Sequence, residues 1–155
     1  MNEFFVNKVE NLRSKLPKTV SDPSFSVKTL MEKKSCTFQF RPVYPDEVLK
    51  IISNFKSSHS CGVDNIDSMV IKLAKHELTP VITHIINLSI QLCKFPKAWK
   101  IATVIPLHKQ GEKIYAKNYR PVGLLPVFSK ILERAAFCQI VEYFEGNNLM
   151  HPSHH

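Results

Sequence analysis

Prolines set the terms on which this chain can fold. There are ten of them against four glycines. Many stand at the edge of an apolar run, where a fixed φ and a missing N–H end one element or begin the next. Such a chain is built from helices and extended pieces with sharp ends. It has few glycine-rich loops, and no G-x-G-x-x-G or Walker-type run that would cradle a phosphate.

Between the prolines, apolar spacing predicts the elements. Phe5, Val9, Leu12 and Leu16 recur at helical intervals, so residues 2–16 read as an amphipathic helix closed by Pro17. The stretch from Lys18 to about Lys34 mixes Ser, Thr, Asp and Pro and reads as a linker. Structure resumes near Cys36. "TFQFRPVYPDEVLKIISNF" starts extended and turns into a helix at Pro45, Asp46 and Glu47, with Val48, Leu49, Ile51, Ile52 and Phe55 on its buried side. "KSSHSCGVDN" is then a loop. A helix is expected from about Ile66 to His76. A longer one follows, capped by Thr79 with Pro80 in its first turn. Val81, Ile85, Leu88 and Leu92 form its buried stripe, widened by Ile82, Ile86 and Cys93.

Phe95-Pro96 ends that helix, and the lone tryptophan, Trp99, reads as a packed indole. "IATVIPL" changes to a strand pattern in which Pro106 implies an edge or a bulge. With the polar run "HKQGEKIYAKN" and the return "YRPVGLL", it predicts a β-hairpin with a lysine-bearing tip. The last helix runs from Pro126 to about Phe144, burying Phe128, Ile131, Leu132, Ala135 and Val141, with Gly146 placed to cap it. The fold class is therefore α+β, mostly helical with one β-hairpin. The length of 155 residues suits one core.

Charge narrows the partners. The chain carries a formal +8, which favours a polyanion, because clustered Lys and Arg release counterions condensed on phosphates. Most of the excess lies between Lys97 and Arg134, where Lys97, Lys100, Lys109, Lys113, Lys117, Arg120, Lys130 and Arg134 face only Glu112 and Glu133. A solvated basic surface with no partner is the competing account of the same residues.

Other chemistries are disfavoured. Cys36, Cys61, Cys93 and Cys138 form no C-x-x-C pair and have no histidine at zinc-finger spacing. The amino terminus has no long apolar run, so neither a signal peptide nor a membrane span is expected; the chain is expected to be intracellular with reduced thiols, in nucleus or cytoplasm undetermined. Asn87-Leu88-Ser89 matches a glycosylation acceptor, but in a helical context without a secretory signal. The tail "HPSHH" reads as a solvated terminus.

The succession "SSHSCGVDNI", "FPKAWKIATVIPLHKQGEK", "NYRPVGLLPVFSKILE" and "VEYFEGNNLMHPS" resembles the amino-terminal part of the reverse transcriptase of non-LTR (LINE-type, jockey-like) retrotransposons, over roughly residues 40 to 155. Its motifs are W-K-x-A-x-V-x-P-L-x-K, then N-Y-R-P-V-x-L-L and K-I-L-E. The resemblance implies a domain division into an amino-terminal helix and linker, 1–39, and a truncated reverse-transcriptase fingers region of a right-hand polymerase, 40–155. In such elements a segment like 1–39 connects an upstream endonuclease to the polymerase. It further implies that Lys109 and Arg120 face the triphosphate of an incoming deoxynucleoside triphosphate. The loop at Gly62 and Asp64 would border an RNA or DNA template, and Lys100, Lys113 and Lys117 would contact nucleic acid. Departures are the absence of a proline near Cys61 and Val63, of glycines near Asn65 and Lys94, and of a serine at Gly123.

By the same resemblance the full-length enzyme uses Mg²⁺, held by carboxylates because hard cations need oxygen ligands. The aspartates of this chain, Asp22, Asp46, Asp64 and Asp67, all lie in its first half. No catalytic or metal-binding residue is therefore assigned within it, and no cofactor. The chain is expected to lack the palm, a possible partner in trans, and not to polymerise alone. Alternatives are a basic module for single-stranded nucleic acid, a helical interaction protein using apolar faces, or a degenerate remnant without activity.

Overall fold

The computed structural model describes residues 2–16 and 37–150. Pro17, the linker from Lys18 to Lys34, Asp22, Cys36 and the histidine tail lie outside the described residues. Five helices and one two-stranded sheet occur among those described: α1 (Asn2–Arg13), α2 (Pro45–Asn54), α3 (Ser68–Leu73), α4 (Lys75–Gln91), β1 (Thr103–His108), β2 (Tyr119–Leu124) and α5 (Val127–Gly146). Short 3-10 turns cover Lys97–Lys100 and Ala116–Asn118. The chain divides into two compact units, one of Met1–Thr37 with Pro106–Val122 and one of Phe38–Ile105 with Gly123–His155.

In the first unit, α1 stops at Arg13, three residues before the expected end, where Ser14 Oγ turns back to donate to the Asn11 carbonyl at 3.1 Å. Its expected apolar stripe is not buried: Val9, Leu12 and Leu16 are all exposed.

The second unit holds the core. Val43, Val48, Ile52, Ile71, Ile82, Ile86, Val127, Ile131, Leu132 and Ala135 are buried together. α2 packs against α3, α4 and α5. The α2 start follows the expectation: Pro45 opens the helix, and Glu47 Oε2 accepts from the Tyr44 N–H at 2.8 Å. Trp99 stacks on Phe128, with centroids 5.8 Å apart, and meets Phe95 edge-on. It is packed as expected.

Three expectations need correction. α4 begins at Lys75, so Thr79 and Pro80 lie inside it. Thr79 is buried, and its hydroxyl is satisfied by the Lys75 carbonyl at 2.6 Å; it needs no capping role. Burial of Leu78, Thr79 and Ile82 against the core overrides the proline's preference for a first turn. The buried face of α4 is Thr79, Ile82, Thr83 and Ile86, whereas Val81, Leu88 and Leu92 of the expected stripe face outward. Val81 and Leu88 lie outside the buried face, and the two buried threonines hide their hydroxyls in i−4 carbonyl bonds, so polarity alone does not separate the inner from the outer side.

The third concerns α5, which runs through Gly146 instead of being capped by it. The stop is a Schellman motif at Asn148, φ 51°, in which Leu149 N–H donates to Phe144 O and Asn148 N–H to Glu145 O. α4 ends the same way at Cys93, φ 51°, with Lys94 N–H donating to Ser89 O and Cys93 N–H to Ile90 O. Of the residues expected to be buried in α5, Phe128 and Val141 are only half-buried.

The extended segment before α2 has no strand partner, yet its backbone is paired. Arg41 N–H donates to Gln139 Oε1 at 2.9 Å and Arg41 C=O accepts from Gln139 Nε2 at 3.0 Å. Val43 does the same with Asn87, at 2.7 and 2.9 Å. Two carboxamides, one from α5 and one from α4, thus replace a neighbouring strand. The Arg41 guanidinium then forks onto Glu47, at 2.7 and 3.0 Å, and reaches Glu142 at 3.4 Å. These bonds raise the Arg41 pKa further above its ordinary range, the Glu47 hydrogen bond being the main cause. They lower that of Glu47, chiefly through the Arg41 hydrogen bond and against the opposing effect of burial.

Replacing Gln139 by Leu leaves the Arg41 N–H and C=O without their part-buried partner, which costs about 1–3 kcal/mol. A urea titration should show that loss; an unchanged midpoint would mean that the clamp contributes nothing. The Glu47 carboxylate, with its pKa lowered on folding, contributes stability that is complete above its ordinary value of 4.5 and is lost as pH falls through the lower folded value. The gap in urea midpoint between wild type and Glu47→Gln should be full at neutral pH, about 0.5–1 kcal/mol for so exposed a pair, and should close in acid. A gap that persists unchanged at low pH contradicts the ion-pair account.

Candidate nucleic-acid interface

The two strands of the hairpin are of equal length, and Lys109 N–H donates to Asn118 O at 2.8 Å just beyond their ends. That bond continues the antiparallel ladder of the two strands and shows its register. His108 stands opposite Tyr119, their rings 5.2 Å apart, and Leu107 stands opposite Arg120. Side chains alternate along a strand, so position 109 falls on the same side of the ladder as Leu107 and is the diagonal neighbour of Arg120. Both cations are exposed, and neither makes an ion pair among the described residues. Pro121 follows Arg120 in β2 without a backbone donor, in keeping with a ribbon of two edge strands.

The loop between the strands is ordered by its own side chains. His108 Nε2 lies 2.9 Å from the Gly111 carbonyl, Asn118 Nδ2 donates to Glu112 O at 2.8 Å, and the Tyr119 hydroxyl donates to Lys113 O at 2.9 Å. Gly111 adopts φ +77°, and a Cβ there would sit 2.7 Å from Asn118 Nδ2. The left-handed φ favours glycine, and a side chain there would push the Asn118 carboxamide off its bond to Glu112. Lys109, Lys113, Lys117 and Arg120 are all exposed on this outer part of the hairpin, with Glu112 as the only acid.

The remaining expected site residues belong to the second unit. Lys100 is exposed in the 3-10 turn, its Nζ 5.9 Å from the Phe95 ring centroid. Gly62 is buried, and an added Cβ would lie 2.6 Å from Pro126 N and 2.9 Å from Leu125 C. Its lack of a side chain lets two backbones touch. Asp64 is half-buried and accepts from Ile66 N–H at 3.3 Å, while Asn65 takes a left-handed φ of 56°. Asp67 caps α3 through Val70 N–H at 2.8 Å and lies 3.0 Å from His59 Nδ1. The Val70 bond, then the His59 bond, holds its carboxyl below the usual range. The loop is thus braced, with Ser68 Oγ close to the carbonyls of Lys56 and Ser58.

Among the described residues no three His, Cys, Asp or Glu side chains converge to hold a metal ion, and no helix is long and apolar enough to cross a membrane. Sequence reasoning missed the carboxamide clamps and the Arg41, Glu47 and Glu142 group, because nothing in local spacing marks a partner 98 residues away.

No family model matches the chain. It is 31% identical over 114 residues to a probable RNA-directed DNA polymerase from transposon X-element of Drosophila melanogaster, a match covering 73% of this chain and 12% of that protein. It is 34% identical over 90 residues to the RNA-directed DNA polymerase from mobile element jockey of the same species, covering 57% of this chain and 10% of the relative. The jockey polymerase of Drosophila funebris is 32% identical over 101 residues, covering 64% and 11%. The chain spans about a tenth of the length of the curated relatives it matches.

Gly62 offers a direct check on the loop. Gly62→Ala drives a methyl into the Leu125–Pro126 backbone and should destabilise the protein by about 1–3 kcal/mol. Thermal unfolding measures this; a melting temperature equal to wild type would show that the two segments are not in contact.

Proposed function

We propose that this chain, similar over much of its length to a segment of jockey-type non-LTR retrotransposon RNA-directed DNA polymerases, contributes the fingers portion of such an enzyme, binding template and incoming nucleotide. The observation that carries this is the hairpin register, which sets Lys109 and Arg120 as diagonal neighbours with no acidic partner among the described residues. Phosphoryl transfer leaves little covalent work for side chains, so catalysis rests on positioning and on cations against the phosphate oxygens. Arg120 supplies a planar fork, Lys109 a point charge, and both act on the same triphosphate. The braced loop at Gly62 and Asp64 borders the template, and residues 1–39 connect this region to what precedes it in such elements.

Magnesium chemistry in such an enzyme supplies charge neutralisation at the transferred phosphate. The residues present do not fit that ion: Asp64 and Asp67 accept from backbone N–H groups, Asp67 also faces His59, and no three His, Cys, Asp or Glu side chains converge among the described residues. In this proposal the metal ligands come from a palm segment outside the described residues, and this chain alone orients nucleotide without incorporating it.

Fluorescent deoxynucleoside triphosphate binding tests the assignment. Arg120→Ala should weaken binding by about tenfold, as expected for a charge-assisted bond, and Arg120→Lys should recover only part of it, because an ammonium lacks the fork. Unchanged affinity in both Arg120→Ala and Lys109→Ala would overturn the triphosphate role. A primer-extension reaction with the 155-residue chain, Mg²⁺ and nucleotides should give no product; incorporation above background would show that it holds metal after all.

A further inference from the structure

The hairpin loop carries a feature that the triphosphate role does not use. Ile114 is 82% exposed, the most exposed large apolar side chain among the described residues, and beside it Tyr115 is 51% exposed. The loop that carries them is braced by hydrogen bonds. The carbonyls of Gly111, Glu112 and Lys113 are tied to His108, Asn118 and Tyr119, and Asn118 N–H closes the following turn onto Tyr115 O at 3.0 Å. An apolar side chain and a phenol ring thus stand out in water on a hydrogen-bonded loop. Solvation gives no reason for that, since burial of either would stabilise the fold.

The flanking groups specify what would cover them. Lys113 and Lys117 bracket the pair, and Lys117 Nζ lies 5.2 Å from the centroid of the Tyr115 ring. Lys109 and Arg120 stand at the base of the loop, and Glu112 is the only acid. Four cations select a polyanion, while an exposed ring and a branched aliphatic select flat apolar surfaces spaced along it. A duplex hides those surfaces inside its stack. A single strand offers them.

We propose that the loop is a base-engaging tip for single-stranded nucleic acid. A base stacks on the Tyr115 ring, Ile114 packs against its edge or the next base, and Lys113 and Lys117 take the adjoining phosphates. The proposal rests on the nucleic-acid-binding function above and adds to it the residues that contact bases.

The test uses the full chain and two labelled strands of equal length, one of uridine or thymidine nucleotides and one abasic. Wild type should bind the base-bearing strand about tenfold more tightly, in line with the loss of one or more base-aromatic stacks. The double variant Ile114→Ser with Tyr115→Ala should lose that preference while keeping the salt dependence, which the lysines set. Tyr115→Phe should retain the preference, and Lys117→Ala should reduce the salt slope by about one. Equal wild-type affinity for the two strands overturns the proposal alone, as does base preference that survives the double variant or duplex bound as tightly as single strand. Failure of wild type to bind either strand overturns both the proposal and the function on which it rests. Both substituted side chains are exposed, so the variants should keep the wild-type circular dichroism spectrum.

Discussion

The second unit depends on two side-chain amides. An extended backbone entering a helical core brings N–H and C=O groups that need partners, and leaving them dry and unpaired costs more than most single contacts return. Gln139 and Asn87 meet that need at Arg41 and Val43, each with one donor and one acceptor spaced like the edge of a strand. α2 takes its entry point from this segment, since Tyr44 and Pro45 follow directly. The first part of the unit is thereby joined to its last helix across 98 residues of sequence. A contact of that separation carries a loop-closure cost that local contacts do not.

Much of the architecture could be read from the chain alone, for identifiable reasons. Pro45 with two acids marked the start of α2, the change to β-branched residues marked β1, and Trp99 was placed as a packed ring by its apolar neighbours. The departures have two causes. Where apolar residues fall on more than one side of a helix and buried threonines stand among them, as in α4, spacing gives its existence but not its inner face; that is decided by which side meets the core of Ile52, Ile71 and Ile131. Helix ends were misjudged where left-handed residues other than glycine did the stopping, Cys93 and Asn148. A glycine falling near an end, such as Gly146, is a weaker signal than the hydrogen bonds that make the end.

The candidate interface was legible in a different way. Its cations are visible as a cluster, but their relation to one another is a matter of register, and register is held by the β1–β2 ladder, which the bond from Lys109 to Asn118 continues past the strand ends. Moving the pairing by a single residue would send Arg120 to the other side of the ribbon. The bracing of the loop by His108, Asn118 and Tyr119 could not be foreseen, because each of those residues also suits an ordinary polar turn. The resemblance suggests a place beside template for Gly62; in the fold its bare Cα lets the loop lie against Leu125 and Pro126.

The outward face of α4, with Val81, Leu88 and Leu92 in water, links to the overall charge of +8. Like-charged copies repel at distances up to a Debye length, about 10 Å at 0.1 M salt and about 3 Å at 1 M. In dilute buffer that repulsion keeps these greasy faces from meeting. Concentrated sulfate or phosphate screens it and strengthens the pull between oily surfaces together, which favours the meeting of these faces.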